Sequence, residues 1–530
     1  MRNMFSDAFA IRDTRVLSAS LAAGFSIFLL LRQNALLAAG ILIIMGFLAL
    51  MLRWPETGTL VVLFSIYSNI GVLAMRHPTA IQVTAGSPGE NPRIAVVFAV
   101  MALLLSVPLA HQLLVRKEGL IFDRGFVLML AFLAAMLASS FFARDERMVG
   151  SRVADYLIEG LALYFVLTNV VRDIATLRRA TWTLLIAGSL MGGLSIYQKV
   201  THTADRLYGG LAQMGSEINV ASSGRELARP QRSAGPISGG VGPEGDLRVA
   251  GPIGEPNRYA QILLVLIPLA VLAFRTERSP MMRALALVAA SLILGGLLLT
   301  YSRGTLLAGL VLFGMMAYMR SLKPRQVLVV VLCMGVLVAT FAPGVITRMA
   351  TLGQMKNLLL RTGYTYRAPD SSAVHRYALN LAAWHVFLDH PIFGVGPGHF
   401  AEYYSVPYGN RIGLIETTRR YLAHNLYLET LAETGVTGLA CLLAILFVIM
   451  HWLWKERRRW EHSHPEFSSV ATAFFLCLFA YVISAVFEHL SYQRYFWLLV
   501  ALSSAAARIV HAQHDTRSDG ESLISPGETW

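Results

Sequence analysis

Three residues in the second half of the chain carry groups suited to a single reaction. Arg303 lies in Tyr301-Ser302-Arg303-Gly304, between two apolar runs with almost no loop between them, and Arg376 and His424 follow in one long polar segment. A guanidinium presents a planar fork of donors that fits phosphate oxygens two at a time. An imidazole titrates near neutrality and can take a proton from a hydroxyl. Two arginines and a histidine converging outside a membrane would suit a lipid-pyrophosphate donor and a sugar-hydroxyl acceptor. Each residue also has a plainer reading: Arg303 as an interface arginine that snorkels, Arg376 as a solvated helix position, His424 as a structural loop histidine. A charge held at the depth of Arg303 is costly unless it faces a cavity or a partner. Glu159 is the other charge inside an apolar run; it is read as structural, paired to an arginine.

The elements that must position these groups are set by composition. Of 530 residues, 55% are hydrophobic and only 15% charged, and the mean hydropathy is +0.55. Soluble domains carry about 25% charged residues, so the chain reads as one polytopic membrane body, and disorder or a disulfide-stapled fold is excluded. Cys333, Cys441 and Cys477 all fall in apolar runs and read as buried small hydrophobes.

A spanning helix needs about 20 apolar residues. Candidate spans are Val16–Leu31, Ala35–Leu52, Gly58–Ala74, Ile94–Leu114, Gly125–Phe142, Asp155–Val171, Ala180–Tyr197, Tyr259–Phe274, Ala284–Tyr301, Thr305–Met319, Val327–Phe341, Gly435–Trp454, Ser468–Phe487 and Tyr495–Val510. The expected fold is therefore an all-α polytopic membrane protein with about 12–14 transmembrane helices and one large, partly helical extracytoplasmic loop. The expected division is 1–197 N-terminal spans, 198–258 a Gly-rich outside loop, 259–341 further spans, 342–434 the large outside loop, 435–510 C-terminal spans and 511–530 a tail. The net charge of +13 divides on this topology. With the N-terminus inside, the inside segments hold more than twice the Lys and Arg of the short outside loops, as orientation signals do. Both termini are then cytoplasmic and both long loops face outward. The basic residues are scattered over many short flanks, Lys455–Arg459 among them, so nucleic acid is not an expected partner.

The large loop holds Trp384 and five histidines, His375, His385, His390, His399 and His424. Within it, Ser372–Asp389 has apolar residues at helical spacing, with a serine to cap it and Pro391 after its end. Gly394-Val395-Gly396-Pro397-Gly398 follows as a tight turn, and Asn425 is placed to cap the helix that begins at Leu426. The five histidines lack compact zinc spacing and no cysteine joins them, so no metal is expected. Gly240-Val241-Gly242-Pro243-Glu244-Gly245 matches G-x-G-x-x-G without a strand before it or a helix after it, and no dinucleotide site is read there.

Taken together these residues resemble the bacterial O-antigen ligase and Wzy-type polymerase superfamily of membrane glycosyltransferases. His424-Asn425, nine residues, then Gly435-Val436-Thr437-Gly438 is similar to the ligases' H-[NSQ]-x9-G-x-x-G pattern. Asp389-His390-Pro391-Ile392-Phe393-Gly394-Val395-Gly396 resembles the family's hPl-G-G segment and follows an Arg-x7-Trp helix, Arg376 to Trp384. Ser302-Arg303-Gly304 and Glu255-Pro256-Asn257 complete a likeness over about 254–438. The resemblance implies transfer of a glycan from undecaprenyl pyrophosphate to an acceptor hydroxyl, on lipid A-core or another saccharide, at the periplasmic face of the bacterial inner membrane and without nucleotide, cofactor or metal. It implies that Arg303 and Arg376 bind the pyrophosphate, that His424 activates the acceptor or orients the donor, and that Asn425 and Asn257 contact substrate. A Wzy-type polymerase is the nearest alternative. A lipid-linked sugar transporter is the more distant one; it fits less well because no internal repeat is seen and the polar residues concentrate in one outside loop.

Overall fold

A computed structural model describes residues 56–70, 106–203, 206, 208–214, 248–321, 325, 371–411, 422–489 and 493–518. The expected spans Val16–Leu31, Ala35–Leu52 and Val327–Phe341, the 240–245 glycines and most of the tail lie outside these residues. The protein is an all-α polytopic membrane protein. Among the described residues, seven helices are long and apolar enough to cross a membrane and three shorter apolar helices accompany them. We number these ten, with two helices of the 371–411 segment, in chain order: α1 (Glu56–Tyr67), α2 (Arg124–Ser140), α3 (Glu146–Val170), α4 (Ile174–Val200), α5 (Pro256–Thr276), α6 (Pro280–Leu298), α7 (Arg303–Tyr318), α8 (Ser371–Asp389), α9 (Ser405–Arg411), α10 (Leu426–Trp460), α11 (Pro465–Ser484) and α12 (Gln493–Ser518). The chain divides into two units, 1–62 with 95–120 and 63–94 with 121–530. In the smaller unit a helical segment ends where the Arg116 and Glu118 amides bond back to His111 and Gln112, with Lys117 left-handed at φ 54°.

The remaining description concerns the larger unit. Its helices start where carboxylates supply caps. Asp123, Asp145 and Asp173 each accept from first-turn amides, at 2.8 Å from Phe126, 2.9 Å from Arg147 and 2.7 Å from Thr176. Asp123 does more, because Tyr164 of α3 (2.8 Å) and Ser504 of α12 (2.6 Å) both donate to it. α3 loosens into a π-turn over Tyr156–Ala162, which aims Glu159 at the start of α12. There Arg494 pairs with it at 3.1 Å and also donates to Asn69 at 2.7 Å. The in-span charge read as structural is thus a clasp between spans.

Among the described residues α5, α11 and α12 form the centre, with 78%, 78% and 83% of their apolar windows buried, against 33% for α6 and α10. α4 and α6 approach closely through small residues: a Cβ on Gly296 would lie 2.7 Å from the Cα of Gly192. Small-residue crossings replace the hydrophobic drive that lipid removes. Within 198–258, expected as a Gly-rich outside loop, α4 runs on to Val200 and α5 starts at Pro256. Gln213–Met214 and Val249–Gly251 pair as a two-stranded antiparallel ribbon.

Candidate active site

His424 stands immediately before α10 in the left-handed region, at φ 52°. Such a conformation costs a non-glycine residue about 1 kcal/mol or more and persists only where neighbours fix it. The neighbours are visible. Asn425 is the N-cap of α10: its Oδ1 accepts from Tyr427 (3.0 Å) and Leu428 (3.2 Å). Glu429, one turn on, accepts from the Ala423 amide at 3.0 Å. The Leu426 amide donates to Ala485 at 3.0 Å and the Tyr427 hydroxyl to Val482 at 2.7 Å, both at the end of α11. Asn425 was expected to contact substrate as well as to cap; its oxygen is committed to the cap. Asn425→Ala is expected to lower stability by about 1 kcal/mol and to lower transfer further, because the cap holds the turn that aims His424. Thermal melting and transfer rates of the variant check this.

The residues facing His424 come from the short connection between α11 and α12, which sequence reasoning passed over. His489 stands edge-on to His424, ring centroids 5.2 Å apart and planes at 82°. His424, Glu488 and His489 bring their ligand-type atoms within 4.8 Å of one another. Glu488 shares a hydrogen bond with Glu255. Arg258 of α5, only 1% exposed, donates to Gln261 at 2.7 Å and to the Tyr481 hydroxyl at 3.4 Å, and its charge acts on both Glu488 and His489. Arg376 of α8 acts on the same two groups and donates to the Phe487 carbonyl at 3.4 Å. Arg303 opens α7. Its neighbour Gly304 lies against the Phe487 ring, so closely that a Cβ there would sit 2.8 Å from Cγ. Both expected arginines therefore start from elements that touch Phe487, and His424 and Arg376 are brought to one cluster. Asn257 is placed differently. Its Oδ1 accepts from Arg248 at 2.7 Å, and Arg248 also donates to Thr300 at 2.9 Å, so it braces the turn that leads into Arg303.

Two imidazoles and a carboxylate are donor types that suit zinc. Arg258 and Arg376 face the same groups, however, and two guanidinium charges oppose a dication and attract an anion. Of the loop histidines, His399 is fully committed. Its Nε2 accepts from the Asp145 amide at 3.0 Å, so Nδ1 carries the proton and donates to Pro397 at 3.1 Å. Burial pushes its imidazole below the usual range, and it serves as a neutral brace.

The glycines of the motif have a backbone reason. α10 is broken at Gly435, which adopts φ 65°, ψ −166°, and the segment after α8 docks into the break. Val395 and Gly396 donate to the freed carbonyls of Ala432 (3.1 Å) and Glu433 (2.9 Å), and Val436 donates to Pro391 at 2.9 Å. Ser139 of α2 adds a bond to the Glu433 carbonyl at 2.6 Å. The carbonyls of Ala432, Glu433 and Thr434 and the amides of Val436 and Thr437 thus find partners outside the helical ladder, as an interrupted span requires. Gly394, Gly396 and Gly398 all have positive φ (70°, 103° and 80°). This winds the turn so that the Gly398 and Phe400 amides point at the Glu433 carboxylate. Arg152 of α3 lies over Gly398 and acts on Glu433 and His489.

Burial, and then the neighbouring Glu255 carboxylate, push Glu488 up to about 8. Burial pushes His489 well below its usual range, and Arg258, His424, Arg376 and Arg152 push it the same way. The cluster near neutrality therefore holds a protonated carboxyl, a neutral imidazole and flanking guanidiniums. A carboxyl raised in the folded state stabilises fully below its unfolded pKa and loses that contribution as pH rises toward 8. Glu488→Gln cannot titrate. Its melting temperature relative to the parent protein is expected to rise from about pH 5 to pH 8 and then level off; a flat difference across that range would show that Glu488 is not raised.

Residues 285–443 match the family model described as O-antigen ligase. None of the curated proteins compared matches the chain. The match includes Arg303, Arg376, His424 and both motif glycines, and it bears out the resemblance drawn from them. Asn257, Arg258, Glu488 and His489 lie outside it. Glu488 and His489 had as their sequence signal only a pair of ionisable residues at the end of an otherwise apolar run.

Proposed function

From a chain that carries an O-antigen ligase domain, we propose a ligase-like glycosyltransferase that moves a glycan from undecaprenyl pyrophosphate to an acceptor hydroxyl. The observation that carries this reading is His424, held in a left-handed turn at a capped helix start and facing a cluster flanked by Arg258 and Arg376. In the reaction the acceptor oxygen bonds to the anomeric carbon while that carbon's bond to the phosphate oxygen breaks. His424 takes the hydroxyl proton, and undecaprenyl pyrophosphate leaves with the bonding pair. Arg303 and Arg376 hold the pyrophosphate and offset the charge that grows on it. Because the leaving group is already good, positioning and charge stabilisation suffice, and no metal or nucleotide is required. The asymmetry of basic residues supports a multi-pass protein of the bacterial cytoplasmic membrane with both termini inside and the site periplasmic.

The test is purified protein in liposomes with an undecaprenyl-pyrophosphate glycan on the site side and either lipid A-core or a second lipid-linked repeat as acceptor. Glycan on lipid A-core identifies a ligase. Growth of the lipid-linked chain identifies a polymerase. Movement of lipid-linked sugar across the bilayer with no transfer to either acceptor overturns the enzyme reading.

A further inference from the structure

His489 is 3% exposed, and among the described residues neither of its ring nitrogens has a hydrogen-bond partner. Leaving a buried polar atom unpaired costs about 1–3 kcal/mol, so such groups are nearly always satisfied. This one instead faces the candidate site, edge-on to His424 at 5.2 Å. The Glu488 Oε2 beside it is likewise without a partner among the described residues. The charges around the ring say what kind of group is missing. Arg258 comes from α5, Arg376 from α8 and Arg152 from α3; His424 faces it from the start of α10, and Glu488 precedes it in the chain. Glu488 and Glu255 share a hydrogen bond, so one proton serves two carboxyls. Arg152 and Arg258 are shared with the buried Glu429, and Arg152 with Glu433. Arg376, whose other bond is to the Phe487 carbonyl, is the guanidinium beside the ring that is placed to meet an anion.

We propose that His489 is a donor-binding residue whose imidazole gives an N–H hydrogen bond to the diphosphate of the lipid-linked substrate. This rests on the transferase reading but is separable from it. His424 then serves the acceptor hydroxyl, while His489 holds the leaving group on the other side of the bond that breaks. The ring donates without transferring its proton, so an amide side chain should replace it. That distinguishes it from His424, where an amide cannot take up the acceptor's proton.

The experiment measures binding of undecaprenyl diphosphate and of undecaprenol to the full-length protein in detergent. His489→Ala is expected to weaken the diphosphate about 10- to 100-fold, the loss of one hydrogen bond to a charged group, with undecaprenol unchanged. His489→Gln or His489→Asn should recover most of the loss. In the parent protein, an imidazole nitrogen resonance absent from His489→Gln should shift with the diphosphate and not with undecaprenol, which keeps the test alive if the alanine variant fails to fold. Unchanged diphosphate affinity in His489→Ala, an amide variant no better than alanine, or an unmoved resonance each overturns the proposal. Diphosphate binding through His489 without any glycan transfer would remove the transferase reading alone. Transfer with a diphosphate affinity indifferent to His489 would remove this inference alone.

Discussion

His424→Ala is expected to lower glycan transfer by about 10²- to 10⁴-fold, the usual contribution of a positioned general base, while the protein stays folded in the membrane. Its folding cost should be small. The turn is held by backbone and cap contacts from Asn425, Glu429 and Ala485, none of which uses the imidazole. Alanine at φ 52° keeps the backbone strain of about 1 kcal/mol that His424 already bears. His424→Asn removes that complication, since asparagine tolerates the left-handed region, and it should be as inactive as alanine. Transfer rates read beside melting temperatures decide the matter. Full transfer by either variant would show that His424 is not the base, and loss of transfer only in a variant that has also lost its fold would say nothing for catalysis.

The helices were legible because lipid demands long apolar runs; eleven expected spans meet a described helix, though the boundaries moved. One feature of α10 is instructive. The sequence starts this helix at Leu426, above the apolar run from Gly435, and the helix does begin there, but its break at Gly435 was not legible. The cap and the hydropathy fix where the helix starts; neither shows where its hydrogen-bond ladder is interrupted. The cap at Asn425 was readable because an N-cap is local. The Glu159 pairing was readable in kind, since a charge in a span needs a partner, but its partner Arg494 lies 335 positions away and no spacing rule reaches it. Glu488 and His489 were missed for the same reason. Two ionisable residues at a span's end look like an ordinary interface, and only folding brings them against His424 and Arg258. Asn257 shows the converse: the motif marked it, yet its amide oxygen holds Arg248 in place.

Gly435→Ala is expected to be the most damaging single-methyl change in the described residues. At φ 65°, ψ −166° the residue occupies a region that is essentially reserved for glycine, at about 1–3 kcal/mol for anything else. A Cβ there also meets the Ile392 carbonyl and lies 2.6 Å from the Phe393 nitrogen, and neither backbone can move without losing the Val436–Pro391 and Val395–Ala432 bonds. With strain and broken bonds together, the loss should reach about 3–5 kcal/mol, read as a large drop in melting temperature. Transfer should vanish with it, because the Glu433 carbonyl and carboxylate that hold the 394–400 turn lie at the same break. Gly438→Ala is the control. Gly438 is an ordinary helical position, and the added Cβ meets only the Thr434 side chain, which bonds back to Thr430 at 2.7 Å. Thr434→Ala would keep the Cβ that the added methyl also meets, whereas Thr434→Gly clears it, so Thr434→Gly should relieve Gly438→Ala and do nothing for Gly435→Ala. Relief of both would mean that Gly435 is constrained by side-chain crowding, and the backbone account of the motif would fall.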